Sequence, residues 1–226
     1  MARGYFVTGT DTGVGKTQVA CALLHAFTAR GCSVIGMKPV VAGSQHGRYA
    51  DVDALTAAST VRAEAKLINP YSFDPPIAPH IAANQSGVTM SMGTMLEAYR
   101  ALERQADVVI VEGAGGFMIP INSVETSADL ACLLGLPVVL VVGMRLGCLN
   151  HALLTRRAIA DYGLVCAGWI CNSVDRHILN FQENRQALIE RLDAPLIGTI
   201  PFLDRPEASM CASYLELNAM KVVRGE

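Results

Sequence analysis

The residues of this 226-residue chain with the clearest chemical pattern form the segment Gly9–Thr17, with the sequence GTDTGVGKT. It follows a short apolar run and opens a helical pattern, and in that context backbone N–H groups at a helix N-terminus bind phosphate. Gly13 and Gly15 let the backbone approach an anion without a clashing Cβ atom. Lys16 offers a positive charge to the outer phosphates of a nucleotide, and Thr17 offers a hydroxyl to Mg²⁺. The first glycine lies one residue early for the common pattern, so a glycine-rich turn that only starts a helix is the alternative.

Charged residues also stand where two other apolar runs end. Glu112 follows VVIV and precedes GAGG, an arrangement in which a carboxylate reaches Mg²⁺ directly or through water. A strand-end acid that caps the next helix is the alternative. Lys38 ends a second run, in a chain that otherwise prefers arginine, with 14 arginines against four lysines. A compact ammonium at that position is therefore of interest, although a solvated strand-end lysine also fits the pattern.

Two further carboxylates, Asp51 and Asp53, lie in the sequence ADVDAL. Either one could provide a second oxygen ligand for a metal ion, and either could be an ordinary N-cap of a helix. The residue types and their spacing alone do not choose between them.

Six continuous apolar runs predict the strands that would position these residues. They cover residues 5–8, 33–37, 107–111, 137–142, 167–170 and, more weakly, 196–200. Continuous hydrophobicity is typical of parallel strands that are covered on both faces. Helical patterns lie between the runs at residues 16–30, 94–105, 150–162 and 183–192. The alternation predicts an α/β fold with a doubly wound, mostly parallel sheet flanked by helices, in a single domain of residues 1–226. Ligands of such sheets bind at the carboxyl ends of the strands.

The segment of residues 39–87 is less regular, with prolines at positions 70, 75, 76 and 79. Proline removes a backbone donor and disfavours helix in the residue before it, which explains the irregular pattern. We expect an excursion from the sheet there, containing a helix near residues 53–59, and no linker between domains.

The overall composition excludes some classes of function. Apolar residues make up 51% of the chain, and the net charge is −2 without the basic stripe of a nucleic-acid-binding protein. The N-terminus lacks the pattern of a signal peptide, and the longest apolar runs are too short to span a bilayer. We therefore expect a cytoplasmic protein that binds neither nucleic acid nor membrane. The seven cysteines form no C-x-x-C pair, which favours buried thiols over a metal or redox site.

Taken together, these segments resemble the dethiobiotin synthetase family of P-loop proteins. The resemblance extends along the chain in the family's order, through FVTGTDTGVGKT (6–17), KPV (38–40), DAL (53–55), PHIA (79–82), VEGAGG (111–116), LGCLNH (146–151) and IPFL (200–203). It implies an ATP- and Mg²⁺-dependent reaction in which 7,8-diaminopelargonate and CO₂ form the ureido ring of dethiobiotin, with ADP and phosphate as the other products. It also implies a homodimer.

The resemblance further implies the functions of individual residues. Catalysis would depend on Thr12, Lys16 and Lys38, and Mg²⁺ would be held by Thr17, Asp53 and Glu112. The residues implied in ATP binding are Gly13, Val14, Gly15, Lys16, Thr17, Gln18, Asp53, Glu112, Gly113, Ala114, Gly115, Asn172, Ser173, Pro201, Phe202, Leu203 and Glu207. The residues implied in substrate binding are Lys38, Ala42, Gly147, Cys148, Leu149 and Asn150, the last four at the start of a helix that would seat the tail carboxylate near the dimer interface.

Two positions depart from the family pattern. Ala42 stands where the family usually has Ser or Thr, which removes a hydroxyl expected near the carbamate, and Ser44 is the candidate substitute. A tyrosine that some members offer across the dimer has no clear counterpart, and Asn184 falls near its place. Substrate binding is therefore less firmly implied than nucleotide binding.

Two other functions compete with ring closure. A switch ATPase of the partitioning or septum-site type would carry a second lysine at the start of the phosphate loop, where this chain has GTD at residues 9–11. An ATP-dependent ligase acting on a different carboxylate is the second alternative, and such enzymes usually append a glutaminase domain for which this chain is too short.

Overall fold

The computed structural model describes residues 3–221, in which eight strands form two parallel sheets. The strands are β1 (Arg3–Gly9), β2 (Val34–Met37), β3 (Val40–Ala42), β4 (Tyr71–Phe73), β5 (Val108–Glu112), β6 (Val138–Met144), β7 (Cys166–Ser173) and β8 (Leu196–Ile200). The main sheet has the order β2-β5-β1-β6-β7-β8, and β3 pairs with β4 in a separate two-stranded sheet. All of these pairings are parallel, as the continuous apolar runs predict.

Nine helices surround the main sheet in the described part of the chain. They are α1 (Lys16–Thr28), α2 (Ala50–Ala58), α3 (Ala65–Ile68), α4 (Pro79–Gln85), α5 (Met92–Glu103), α6 (Ser127–Leu134), α7 (Cys148–Asp161), α8 (Phe181–Arg191) and α9 (Ala208–Ala212), followed by a 3₁₀ turn at Leu217–Ala219. One apolar core lies between the sheet and α1, α2 and α9, and a second lies between the sheet and α4 to α8. The predicted doubly wound α/β fold is thereby confirmed.

The strand register brings Lys38, Glu112 and the loop that follows β1 together at the carboxyl ends of the strands of the main sheet. Met37 of β2 lies opposite Val111 of β5, so Lys38 and Glu112 leave the sheet side by side. Val7 of β1 lies opposite Glu112, so the loop that follows β1 leaves the sheet at the same edge. Three segments far apart in sequence therefore meet at the carboxyl ends of adjacent strands.

The segment of residues 39–87 leaves the main sheet, as expected, but it is more ordered than its composition indicates. It contains β3, β4 and three helices, and the predicted helix near residues 53–59 begins three residues earlier, at Ala50. The sequence also did not predict α6. That helix begins with a capping box, in which Thr126 accepts from the Asp129 N–H and Asp129 accepts from the Thr126 N–H.

All seven cysteines are free thiols in the structure, and five of them are buried. Burial raises the pKa of Cys21 and of Cys171 to about 12, which keeps both protonated and weakly nucleophilic at neutral pH. These thiols therefore pack as small apolar groups, as the cysteine spacing predicts.

Across residues 3–221, every helix is too short or too polar to cross a bilayer.

Candidate active site

The loop between β1 and α1 adopts a conformation that its glycines make possible. Gly13 and Gly15 have φ angles of 73° and 87°, in the left-handed region that residues with a Cβ atom rarely adopt. A Cβ atom on Gly15 would also lie 2.2 Å from Nδ2 of Asn172. That same Nδ2 donates a hydrogen bond of 2.8 Å to the carbonyl oxygen of Val14. Asn172 therefore holds the loop in shape from the end of β7.

The ammonium group of Lys16 is buried and lies beside the loop between β1 and α1. Its Nζ donates to the carbonyl oxygen of Asp11 over 2.8 Å. Burial, assisted by the nearby charge of Lys38, lowers the pKa of Lys16 to about 8. A phosphate anion bound here would offset that burial and favour the charged ammonium.

Thr17, Asp51, Glu112 and Lys38 form a compact polar cluster beside the loop. Glu112 Oε1 accepts from Lys38 Nζ over 2.6 Å and from Thr17 Oγ1 over 2.8 Å. Asp51 binds the same two groups, at 2.9 Å from Lys38 Nζ and 2.8 Å from Thr17 Oγ1. Burial opposes the charge of Lys38, but the adjacent carboxylates outweigh it and raise its pKa. Burial also raises the pKa of Glu112, against the effect of the adjacent Lys38 ammonium.

The structure places Asp51, rather than Asp53, in this cluster. Two residues are about 200° apart around a helix, so the two carboxylates of α2 lie on opposite sides. Asp53 pairs with Arg48, with Oδ2 lying 3.0 Å from Nε, and its side chain is 47% exposed. The structure therefore favours Asp51 over Asp53, the residue implied by resemblance, as the candidate metal ligand, because Leu55 and Ala58 bury the sheet-facing side of α2 and fix its rotation.

The cluster has the donors that a hard divalent cation requires. The Glu112 carboxylate is only 1% exposed, and within residues 3–221 its buried Oε2 has no hydrogen-bond partner. Such an atom is costly unless a ligand satisfies it. Carboxylate and hydroxyl oxygens suit Mg²⁺, which also retains phosphate and water ligands. Mg²⁺ bound in this way needs only one or two carboxylate ligands from the protein. Within residues 3–221, no three His, Cys, Asp or Glu residues converge on a metal site.

The two carboxylates of α2 offer a matched pair of substitutions. We expect Asp51→Asn to lower kcat about 100-fold and to raise the Mg²⁺ concentration needed for half-maximal activity, because a charged ligand is lost. Asp53→Asn should stay within about twofold of the unmodified protein, because its ion pair is exposed. Steady-state rates across a Mg²⁺ titration measure both effects. A larger loss from Asp53→Asn than from Asp51→Asn would restore the assignment that the resemblance implied.

A cavity of about 740 Å³ opens over the phosphate loop and the polar cluster. Its charged side is formed by Lys16, Lys38, Asp51 and Glu112, with Thr12, Gly13, Gly15, Ala114 and Gly115 beside them. Its lining also includes the apolar residues Val40, Val41, Ala42, Pro76, Ile77 and Ile119, among others. The residue types that line the cavity therefore suit both a polyphosphate and an aliphatic chain. Ser44, the candidate substitute for the hydroxyl that is missing at Ala42, is not among the residues that line the cavity.

The residues implied in binding the nucleotide base lie at the ends of β7 and β8. Asn172 is opposite Ile200 in the strand register, which brings the segment of residues 201–203 next to Asn172 and Ser173. Phe202 lies under the guanidinium of Arg176, 4.9 Å from ring centroid to Cζ. Farther along the chain, Glu207 is the exposed N-cap of α9.

The remaining implied residues have more varied surroundings. Gln18 donates through Nε2 to Sγ of Cys211 over 3.0 Å, which ties α1 to α9. Gly113 leaves no space for a side chain, because a Cβ atom there would lie 3.1 Å from the ring of Phe6. The start of α7, from Gly147 to Asn150, does not line the cavity within this one chain.

Sequence reasoning missed two parts of the site. One is the ion pair between Arg145 and Asp11, in which Nη2 and Oδ2 are 2.5 Å apart. The other is the apolar wall that Pro76, Ile77 and Ile119 contribute to the cavity. The prolines at residues 75–79 were a signal for a fixed turn near the site, whereas the ion pair joins residues 134 positions apart and has no local signal.

Comparison with known proteins places the chain in a family. A family model described as an AAA domain matches residues 3–208. Curated relatives named ATP-dependent dethiobiotin synthetase are similar over nearly the whole chain. The relative from Nitrosospira multiformis is 52% identical and covers 96% of both chains. The relative from Pseudomonas aeruginosa is 45% identical and covers 96% of this chain and 98% of its own length.

Solved structures show the same fold at low identity. The septum site-determining protein MinD from Pyrococcus horikoshii, complexed with Mg-ADP, has a TM-score of 0.55 and 17% identity over 89% of this chain and 82% of its own. A ParA family ATPase from Chlorobium tepidum has a TM-score of 0.56 and 14% identity over 96% of this chain and 90% of its own. This likeness concerns the fold alone and confirms the predicted P-loop architecture. The nearly full-length relatives decide the family, and the chain belongs to the dethiobiotin synthetases.

Proposed function

We propose that the protein is an ATP-dependent ligase that closes the ureido ring of dethiobiotin from 7,8-diaminopelargonate and CO₂, releasing ADP and phosphate. The observation that carries the proposal is the pair of lysines, Lys16 and Lys38, at the wall of one cavity that is also lined by the phosphate loop and by apolar side chains. The ligase must bring an anion to a triphosphate, which repels it. Two buried ammonium groups supply the positive charge that this approach requires.

The reaction needs no strong general base from the protein. One amine takes up CO₂, loses a proton and becomes a carbamate, whose oxygen attacks the γ-phosphorus while ADP leaves. The second amine then attacks the carbamate carbon, loses a proton, and phosphate leaves as the ring closes. Negative charge is concentrated where the carbamate meets the phosphate, and Lys16 and Lys38 are placed to stabilise it there.

Mg²⁺ belongs to the proposal as the metal cofactor. Thr17, Asp51 and Glu112 would hold the ion together with phosphate oxygens, since their oxygens converge and Glu112 Oε2 has no other partner. Bound there, the ion would neutralise charge on the outer phosphates.

The proposal includes a homodimer in which a second copy of the chain covers the start of α7. Gly147–Asn150 present a helix N-terminus, which favours a carboxylate, and the adjacent Leu146 is 99% exposed. In a homodimer this region would be covered and the substrate tail would be held there. Sedimentation of the native protein tests this part of the proposal, and a monomer at assay concentration would count against it. A cytoplasmic location, where ATP is available, completes the proposal.

The central experiment is a phosphate-release assay with each substrate omitted in turn. Release from Mg-ATP should require both diaminopelargonate and bicarbonate, and dethiobiotin should form in equal amount. Phosphate release without the diamine, stimulated by protein or lipid, would indicate a switch ATPase instead. Release that depends on another carboxylate, without ring formation, would indicate a ligase with a different substrate.

The substitution Ala42→Ser tests the apolar side of the cavity. The side chain of residue 42 lines the cavity near Val40 and Val41, so an added hydroxyl would gain a contact with the carbamate end of the substrate. We expect KM for the diamine to be unchanged or to fall by up to about tenfold, the value of one good hydrogen bond. Steady-state kinetics at saturating ATP measure this. A large rise in KM would show that the pocket beside residue 42 differs from that of the family.

A further inference from the structure

Asp11 lies at the crossing of three contacts in the phosphate loop. Its Oδ1 accepts the backbone N–H of Thr12 over 2.7 Å. Its carbonyl oxygen accepts Nζ of Lys16 over 2.8 Å. Its Oδ2 accepts Nη2 of Arg145, which follows the last residue of β6, over 2.5 Å. The orientation of Asp11 therefore bears on two residues implied in catalysis.

The Arg145 contact is the charged member of three contacts between the β6 segment and the loop. The N–H of Thr10 donates to the carbonyl oxygen of Val141 over 3.0 Å. Farther along β6, Gly143 packs so closely against Val14 that an added Cβ atom would lie 2.7 Å from Val14 Cγ1. These two contacts fix the position of the loop without any charge. The third contact is therefore not needed to hold the loop against the sheet.

The charge of Asp11 is a liability in a loop that binds a triphosphate. Asp11 directly precedes Thr12, which lines the cavity, so its carboxylate would repel a triphosphate bound there. The Asp11 side chain is 47% exposed. Arg145 cancels this charge and, by binding Oδ2, keeps the carboxylate turned toward β6. Oδ1 then remains on the Thr12 N–H, and the loop amides keep the arrangement that an anion needs.

We propose that Arg145 is a positioning residue for the nucleotide, which acts by neutralising and orienting Asp11. The inference rests on the proposed nucleotide site of the loop and names the residue that tunes its charge. Arg145 acts through Asp11 and does not touch the reacting atoms. The same residue begins the connection to α7, since its carbonyl oxygen accepts the Cys148 N–H over 3.0 Å.

The test compares binding of a non-hydrolysable ATP analogue, with Mg²⁺, to four variants by calorimetry. Arg145→Gln should weaken binding about tenfold, because an uncompensated carboxylate then faces the triphosphate. Arg145→Lys should bind nearly as well as the unmodified protein, because the charge is retained. The double variant Asp11→Asn/Arg145→Gln should return to within about threefold, because both charges are gone. Arg157→Gln is the control, since Arg157 pairs with Asp161 on the exposed side of α7.

Analogue binding by the double variant shows whether Arg145 acts on the nucleotide directly or through Asp11. Recovery in the double variant, with kcat at saturating ATP changed less than KM, supports the proposal. Binding that is as weak in the double variant as in Arg145→Gln would show that Arg145 contacts the nucleotide itself. Unchanged binding in Arg145→Gln would show that the ion pair has no part in nucleotide binding. Analogue binding does not involve the diamine, so a failure of ring formation with normal analogue binding would count against the proposed reaction alone.

Discussion

Replacing Lys16 by Met is expected to lower kcat/KM about 1000-fold while the protein remains folded. The ammonium is buried, lies at the wall of the cavity, and has the Asp11 carbonyl oxygen as its hydrogen-bond partner. The ammonium can therefore bind the phosphates and stabilise the negative charge that develops during phosphoryl transfer. Steady-state assays of phosphate release measure the loss. Lys66→Met is the matched control, because Lys66 is 82% exposed and its ion-pair partner among residues 3–221 is the exposed Glu64.

The stability of the same variant reports on the buried charge without any substrate. Burial lowers the pKa of Lys16 in the folded protein to about 8, from an ordinary value of 10.5 in an unfolded chain. Between these values the unfolded state binds more protons, so this lysine's contribution to stability rises with pH. We expect the unmodified protein to gain stability relative to Lys16→Met between about pH 8 and pH 10.5. Urea unfolding at several pH values measures it, and a constant difference would mean that the ammonium is not desolvated.

The main sheet could be predicted from sequence because its strands are buried on both faces. Runs such as the one in β5 are wholly apolar, so the signal for each strand is continuous. The two short strands β3 and β4 gave no such signal, since each has three residues and depends on the pairing of Val40 with Tyr71. Helix α6 did carry a local signal, the capping box of Thr126 and Asp129. A prediction based on hydrophobic periodicity does not use this signal.

The site could be predicted where it depends on strand ends and not where it depends on helix rotation. Lys38 and Glu112 follow directly from adjacent parallel strands. The choice between Asp51 and Asp53 depends on how α2 is rotated about its axis. Side chains two positions apart point in directions about 200° apart around a helix, so a sequence alignment shifted by two residues selects the wrong carboxylate. The pair of Arg145 and Asp11 spans 134 positions, a contact that only the folded chain reveals.

Replacing Glu112 by Gln is expected to lower kcat at least about 1000-fold and to destabilise the protein without substrates. The carboxylate is 1% exposed and binds Lys38 and Thr17. Glutamine keeps the size but loses the charge that a divalent cation and the Lys38 ammonium require. Removing one partner of a buried ion pair costs about 3–5 kcal/mol. Because Asp51 remains 2.9 Å from Lys38, we expect the loss to lie at the lower end of that range.

The companion variant Glu112→Gln/Lys38→Met separates the structural loss from the catalytic one. Removing both buried charges should restore much of the stability, since no uncompensated ammonium remains, whereas activity should stay at least as low as in the single variant, because Lys38 is itself assigned to catalysis. Thermal unfolding without Mg²⁺ and phosphate release with Mg-ATP measure the two properties. If activity returned together with stability, neither Glu112 nor Lys38 would be needed for the reaction, and both would be structural partners only. If Glu112→Gln alone proved as stable as the unmodified protein, the ion pair would be weaker than its distance of 2.6 Å and its burial indicate.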